Sequence, residues 1–261
     1  AAVEKNLAAL EAKHKEASPE LVPAADLPAL NAAIDDLLAE FRRIVNGMRM
    51  LGHRPPRAVD EAIAIGERLS STMIAAHLRS RGIGAEAVNA IDAVVTDAVF
   101  NNASPLMDLT RTRARGRLLP LVEKGIVPIV TGFNGATSDG RPTTLGRGGS
   151  DFSASILAAA LDASELWIWT DVDGVLSADP RLVPDARVID SLSYNEAMEL
   201  AYFGAKVIHP QTMAPAVAQQ IPIWIRNTFA PEKAGTLICA KPESKLLVKG
   251  ITSFDKIALV N

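Results

Sequence analysis

Residues 143–174 read TTLGRGGSDFSASILAAALDASELWIWTDVDG. A glycine-rich turn runs into Ser150-Asp151, and a run of good helix formers follows. A short apolar segment, Glu165–Thr170, then ends in two acids, Asp171 and Asp173. Loop, helix, strand and acidic loop in that order predict an α/β chain. The alternation extends outward. Ala85–Ile91, Gly125–Gly132 (GIVPIVTG) and Ile221–Arg226 read as strands. Pro105–Lys124, Asp151–Leu161, Asn195–Phe203 and His209–Gln219 read as helices. Strands that are apolar on both faces predict a mainly parallel sheet covered on both sides.

Residues 1–52 have a different rhythm. Leu27, Leu30, Ile34, Leu37, Leu38 and Phe41 recur at helical spacing, and a loop holding Pro19 and Pro23 is expected between two helical segments. Arg54-Pro55-Pro56-Arg57 marks a turn, after which a further helix contains Gly66-Glu67.

Bulk properties narrow the function. A chain of 261 residues with 48% apolar residues can bury a sizeable core. A net charge of -3 with interspersed signs argues against a nucleic-acid partner. The single Cys239 suits a reducing compartment such as the cytoplasm. No apolar run approaches the ~18 residues of a membrane span, and the histidines show no metal-ligand spacing.

Ligands of parallel α/β sheets collect beyond the carboxyl ends of the strands. Three loops carry polar residues suited to that place. In Gly146–Asp151 the glycines allow close backbone approach, Ser150 or Asp151 can cap the following helix, and Arg147 offers a planar fork for a carboxylate or a phosphate. In Thr170–Gly174 the acids can hold a ribose hydroxyl or a magnesium-bound nucleotide, with Arg181 downstream available to phosphate. In Tyr202–Pro210, Lys206 can reach a phosphate as a point charge. Each has a plainer reading: a glycine turn, an Asp-Gly turn, an exposed lysine. Thr131–Gly135 closes the strand GIVPIV, and its plain reading is a tight turn with Phe133 packed on the core.

Taken together, the stretches GFNGATSDGRPTTLGRGGSD, WTDVDGVLSADPRLVPDARVI, SYNEAMELAYFGAKVIHP and IPIWIRNTFAPEKAGTLI resemble the catalytic domain of the aspartokinases, within the amino-acid kinase family. The resemblance implies a three-layer α/β/α sandwich around a mainly parallel sheet. It implies transfer of phosphate from ATP, with Mg2+, to L-aspartate. It assigns Arg147 to a substrate carboxylate, with Gly149, Ser150 and Asp151 in the same loop, Glu67 to the substrate amino group, and Phe133 to the wall of that site. Thr170, Asp171, Asp173 and Gly174 would hold the nucleotide. Arg181 and Lys206 would face its phosphates, so that Asp151 and Lys206 stand nearest the chemistry.

The resemblance also sets the expected organisation. Residues 1–241 would form the kinase domain, with 1–50 as a helical insertion, and 242–261 would begin an ACT-type regulatory region. The family's opening strand with its Lys-Phe-Gly-Gly motif is expected upstream of Ala1, and Leu176 stands where aspartokinases commonly have Tyr. A homo-oligomer and an amino-acid effector are implied for the intact protein. Two other readings stay open: a kinase of glutamate or its acetyl derivative, and a binding module without turnover.

Overall fold

The computed structural model describes residues 2–146, 148–202, 210–243 and 248–252. Its contacts divide the chain into two units, Ala1–Ser150 and Asp151–Asn261.

The first unit opens with α1 (Ala2–Leu21), α2 (Leu27–Leu51) and α3 (Pro56–Ser80). The apolar stripe on α2 is Leu30, Ile34, Leu37 and Leu38, and it packs in one buried cluster with Ile65, Leu69 and Met73 of α3. Burial of each such side chain stabilises by about 1.5–3 kcal/mol. Pro56 is the first residue of α3, where its missing N–H loses no hydrogen bond. Pro19 does not lie in a loop as its sequence suggests. It sits inside the last turn of α1. A proline there gives up one intrahelical bond, and Val22 N still donates to Ser18 O at 3.2 Å.

Two small sheets complete this unit. β1 (Ala85–Val88) pairs in parallel with β3 (Val127–Val130). β2 (Val95–Thr96) pairs in parallel with β4 (Asn134–Thr137), and β4 turns back on β5 (Pro142–Thr144). α4 (Met107–Glu123) connects β2 to β3 and buries Ala114 and Leu118. Within Thr131–Gly135 the chain bends at Gly132 and Phe133, and Asn134 and Gly135 already belong to β4.

The second unit contains most of α5 (Gly149–Ala160), then β6 (Leu166–Thr170), β7 (Ser191–Ser193), α6 (Tyr194–Tyr202), α7 (Pro210–Ala218), β8 (Ile223–Asn227) and β9 (Thr236–Cys239). Its strands run in the order β6-β8-β9-β7. β6–β8 and β7–β9 are parallel, and β8–β9 is antiparallel. Ile223, Ile225, Ile238 and Leu192 are its buried centre. β6 departs from the expectation that both faces are covered. Leu166 and Ile168 are buried, while Trp167 and Trp169 are each 45% exposed. Arg226 lies over those rings, 4.7 Å from the Trp167 centroid and 5.4 Å from that of Trp169. Two indoles on an outer face mimic buried apolar residues in a sequence, yet a guanidinium rather than a helix lies over them.

Three predicted features fall largely or wholly outside the described residues. Arg147 and Lys206 are two. The third is the regulatory tail, described only at 242–243 and 248–252.

Candidate active site

In the first unit, three distant segments meet at Gly132. Glu67, half-buried on α3, accepts the Gly132 amide on Oε2 at 3.0 Å. Gly132 follows β3 and has no room for a side chain. A Cβ there would lie 2.8 Å from Ser150 Oγ and 3.1 Å from Glu67 Oε2. The next residue, Phe133, has φ 43, a left-handed conformation that a bulky residue rarely adopts. Its carbonyl accepts Leu145 N at 2.9 Å, which fixes the start of the glycine-rich loop. Gly149 packs so closely on Phe133 that a Cβ would collide with the Phe133 Cβ. Glu67, Phe133, Gly149 and Ser150 therefore share one small neighbourhood. Arg147 lies outside the described residues.

α5 begins at Gly149, and Asp151 is in its first turn. Burial pushes the Asp151 carboxyl above the ordinary aspartate value. A negative charge at a helix N-terminus is favoured by the helix dipole, so desolvation outweighs that attraction here.

The second unit presents the acidic loop at the end of β6. Thr170 Oγ1 donates to Asp171 Oδ1 at 3.2 Å, and Asp171 is exposed. Asp173 is bound on both oxygens: Asn227 Nδ2 donates to Oδ1 and Lys233 Nζ to Oδ2, each at 2.6 Å. The Lys233 bond, followed by that of Asn227, holds the Asp173 carboxyl below the ordinary range. Gly174 is buried with φ 145, and a Cβ there would lie 2.5 Å from Thr236 Oγ1. Arg181 is exposed and clasps Asp179, with its Nη2 2.6 Å from Oδ2.

Asn227 and Lys233 were not singled out in the sequence, although the stretch IRNTFAPEK contains both. Asp60 lies outside the stretches that resemble the aspartokinases, and Asn134, although inside GFNGATSDGRPTTLGRGGSD, has no role assigned there. Asp60 is a fully buried carboxylate on α3, and Asn134 is fully buried on β4. Neither amide atom of the Asn134 side chain has a hydrogen-bond partner among the described residues.

Comparison with known proteins shows what the chain is similar to. Residues 4–227 match the model of the amino acid kinase family. The chain is 39% identical over 237 residues to a bifunctional aspartokinase/homoserine dehydrogenase of Haemophilus influenzae, covering 90% of this chain and 29% of that protein. It is 41% identical over 217 residues to the lysine-sensitive aspartokinase 3 of Escherichia coli, covering 81% and 48%. The crystal structure of E. coli aspartokinase III with aspartate and ADP superposes with a TM-score of 0.79 at 37% identity, over 86% of this chain and 49% of that one. The same protein has also been solved with lysine and aspartate. The chain thus spans about half or less of the length of these relatives.

Proposed function

The chain belongs to the amino acid kinase family, and from that premise we propose that it is the catalytic part of an aspartate kinase. The reaction transfers the γ-phosphoryl group of MgATP to the side-chain carboxylate of L-aspartate, giving ADP and 4-phospho-L-aspartate. The observation that carries this reading is the Glu67–Gly132–Ser150 cluster. L-Aspartate presents one ammonium and two carboxylates. Glu67 supplies an anion for the ammonium. Ser150 Oγ and the N–H groups opening α5 suit a carboxylate, and Arg147 adds a fork that can pair with one in bidentate fashion. Gly149 lets the loop close on Phe133, which walls the site.

Phosphoryl transfer needs positioning and charge neutralisation rather than a covalent nucleophile. Asp151 orients the acceptor. Thr170, Asp171, Asp173 and Gly174 hold the nucleotide, and Lys206 and Arg181 meet its phosphates. For Arg181 this means exchanging Asp179 for a phosphate oxygen. Asp171, exposed at a strand end, suits an oxygen-seeking Mg2+ carried in with the phosphates. That ion would neutralise phosphate charge. A homo-oligomer, an amino-acid effector such as the lysine bound by the E. coli relative, and a cytoplasmic location belong to the same proposal. Among the described residues no helix is long and apolar enough to cross a membrane.

The test is ADP release with Mg2+ by the protein that contains this chain, with L-aspartate, L-glutamate and N-acetyl-L-glutamate offered in turn. Turnover with L-aspartate alone is expected. Arg147→Ala should raise the aspartate KM by about 30- to 150-fold, the loss of one bidentate charged contact of about 2–3 kcal/mol, with little change for ATP. Turnover with glutamate in place of aspartate, or none with any acceptor, would sink the reading.

A further inference from the structure

α3 bears another carboxylate, Asp60, two helical turns before Glu67. Asp60 is fully buried, and a buried carboxylate is tolerated only when its oxygens are met by donors. Asn101 N donates to Oδ2 at 2.9 Å, Asn101 Nδ2 to Oδ1 at 2.6 Å, and Thr144 Oγ1 to Oδ1 at 2.6 Å. These donors lie 41 and 84 residues away in the chain. Asn101 adopts φ 69, which asparagine tolerates better than most residues. Its Nδ2 also reaches Pro56 O at 3.1 Å, holding the start of α3.

The same contacts extend to the glycine-rich loop. Ala103 N donates to Thr144 O at 2.8 Å. A Cβ on Gly146 would lie 2.5 Å from Asn102 Oδ1, so Asn102 packs directly against the first glycine of the loop. Thr144 ends β5, and Leu145 follows it into that loop. One carboxylate therefore ties the helix that carries Glu67 to the strand that launches the loop leading into Gly149 and Ser150 of α5.

We infer that Asp60 is a positioning residue. It fixes α3 against β5, so that Glu67 stays on the Gly132 amide and the glycine-rich loop starts from a fixed point. A buried carboxylate held by neutral donors is a costly way to obtain stability alone, since taking it out of water has to be offset by those hydrogen bonds. Its use next to a binding loop fits a site whose geometry has to be held. The consequence for substrate rests on the aspartate-kinase reading, whereas the consequence for Glu67 does not.

The experiment uses two variants that each remove one donor to Asp60 and keep the local backbone. Thr144→Val is nearly isosteric, and Asn101→Gly tolerates the left-handed φ. On each, the KM for L-aspartate, the KM for MgATP, kcat, the melting temperature and NMR hydrogen exchange at the Gly132 amide are measured. Each variant should raise the aspartate KM about tenfold or more, leave the MgATP KM within about twofold, and speed Gly132 exchange. Thr144→Ser, which keeps the hydroxyl, should behave as wild type. Wild-type aspartate KM and Gly132 exchange in both variants would overturn the inference. So would an equal rise in both KM values, which marks a general loss of structure. If the wild type itself does not phosphorylate aspartate, the kinase reading fails, and Gly132 exchange still decides the role of Asp60.

Discussion

Glu67 Oε2 and the Gly132 amide stand 3.0 Å apart although 65 residues separate them in the chain. The contact joins a helix to a strand end, and Ser150 Oγ closes the third side. Gly132→Ala tests it directly. The added methyl must displace the serine hydroxyl, which lies nearer than real Cβ contacts allow, and crowds the Glu67 carboxylate, which must give by a few tenths of an ångström. A displacement of about 1 Å in a positioned group can cost roughly a hundredfold in rate. Gly132→Ala is therefore expected to lower kcat/KM for aspartate by about ten- to a hundredfold while ATP binding is kept. Steady-state kinetics with each substrate varied checks this, and an unchanged aspartate kcat/KM would remove Gly132 from the site.

Asn134 gives a prediction about stability. Its side-chain amide is fully buried on β4 with neither polar atom partnered among the described residues. An unsatisfied buried polar group costs about 1–3 kcal/mol, and an apolar residue of the same shape removes that cost. Asn134→Leu is expected to raise stability by about 1 kcal/mol, which for a chain of this size is a rise in Tm of about 2–4 °C. Denaturant titration and calorimetry measure it. A destabilised variant that also loses aspartate turnover would instead give Asn134 a substrate contact.

How much of this was legible in the chain differs from element to element. The stripe Leu30, Ile34, Leu37 and Leu38 repeats at the period of a helix, and the structure buries it as that period requires. The glycine-rich loop and the acidic loop announce themselves by composition. The β4–β5 hairpin does not, because Asn134–Thr137 and Pro142–Thr144 are short, small and polar, with no alternation to read. Trp167 and Trp169 mislead in the other direction, since an indole under an arginine scores as apolar. Asp60 is silent because its meaning comes from Asn101 and Thr144, which no local pattern links to it. Lys233 is silent for the same reason, its ion pair with Asp173 spanning 60 residues.

That ion pair predicts a separation of the two substrates. Asp173 is pinned by Lys233 and Asn227 at the end of β6. If its carboxylate serves the nucleotide, Asp173→Asn should raise the MgATP KM about tenfold, as for one charged hydrogen bond, and leave aspartate binding alone. Lys233→Met should move the Asp173 carboxyl back up toward 3.8, since Lys233 is the first cause of its lowering. Carboxyl titration by NMR in the two proteins reads this shift. A carboxyl whose folded value is lowered stabilises the fold above its unfolded value, and that contribution is lost as pH falls through the folded value. Lys233→Met should therefore reduce stability at neutral pH but not at pH values below the folded Asp173 value.

Asp151 predicts the opposite pH dependence. Burial raises its carboxyl above 3.8, so the folded chain holds that proton more tightly than the unfolded chain does. The resulting stabilisation is fully present below the unfolded value and is lost as pH rises through the folded value. At neutral pH the ionised group is then a net cost to the fold, even with the helix dipole in its favour. A residue kept at such a cost at the start of α5 fits a role in holding substrate, where activity and stability commonly conflict. Asp151→Asn is expected to melt at a higher temperature than wild type at pH 7, with the gap closing as the pH is lowered below about 3.8. The same variant is expected to lose aspartate turnover by about a hundredfold or more, as for removal of a group that orients the reacting acceptor. Melting curves from pH 3 to pH 8 beside a turnover assay measure both. A variant that is less stable at pH 7 and equally active would show that the carboxylate serves the helix and not the substrate.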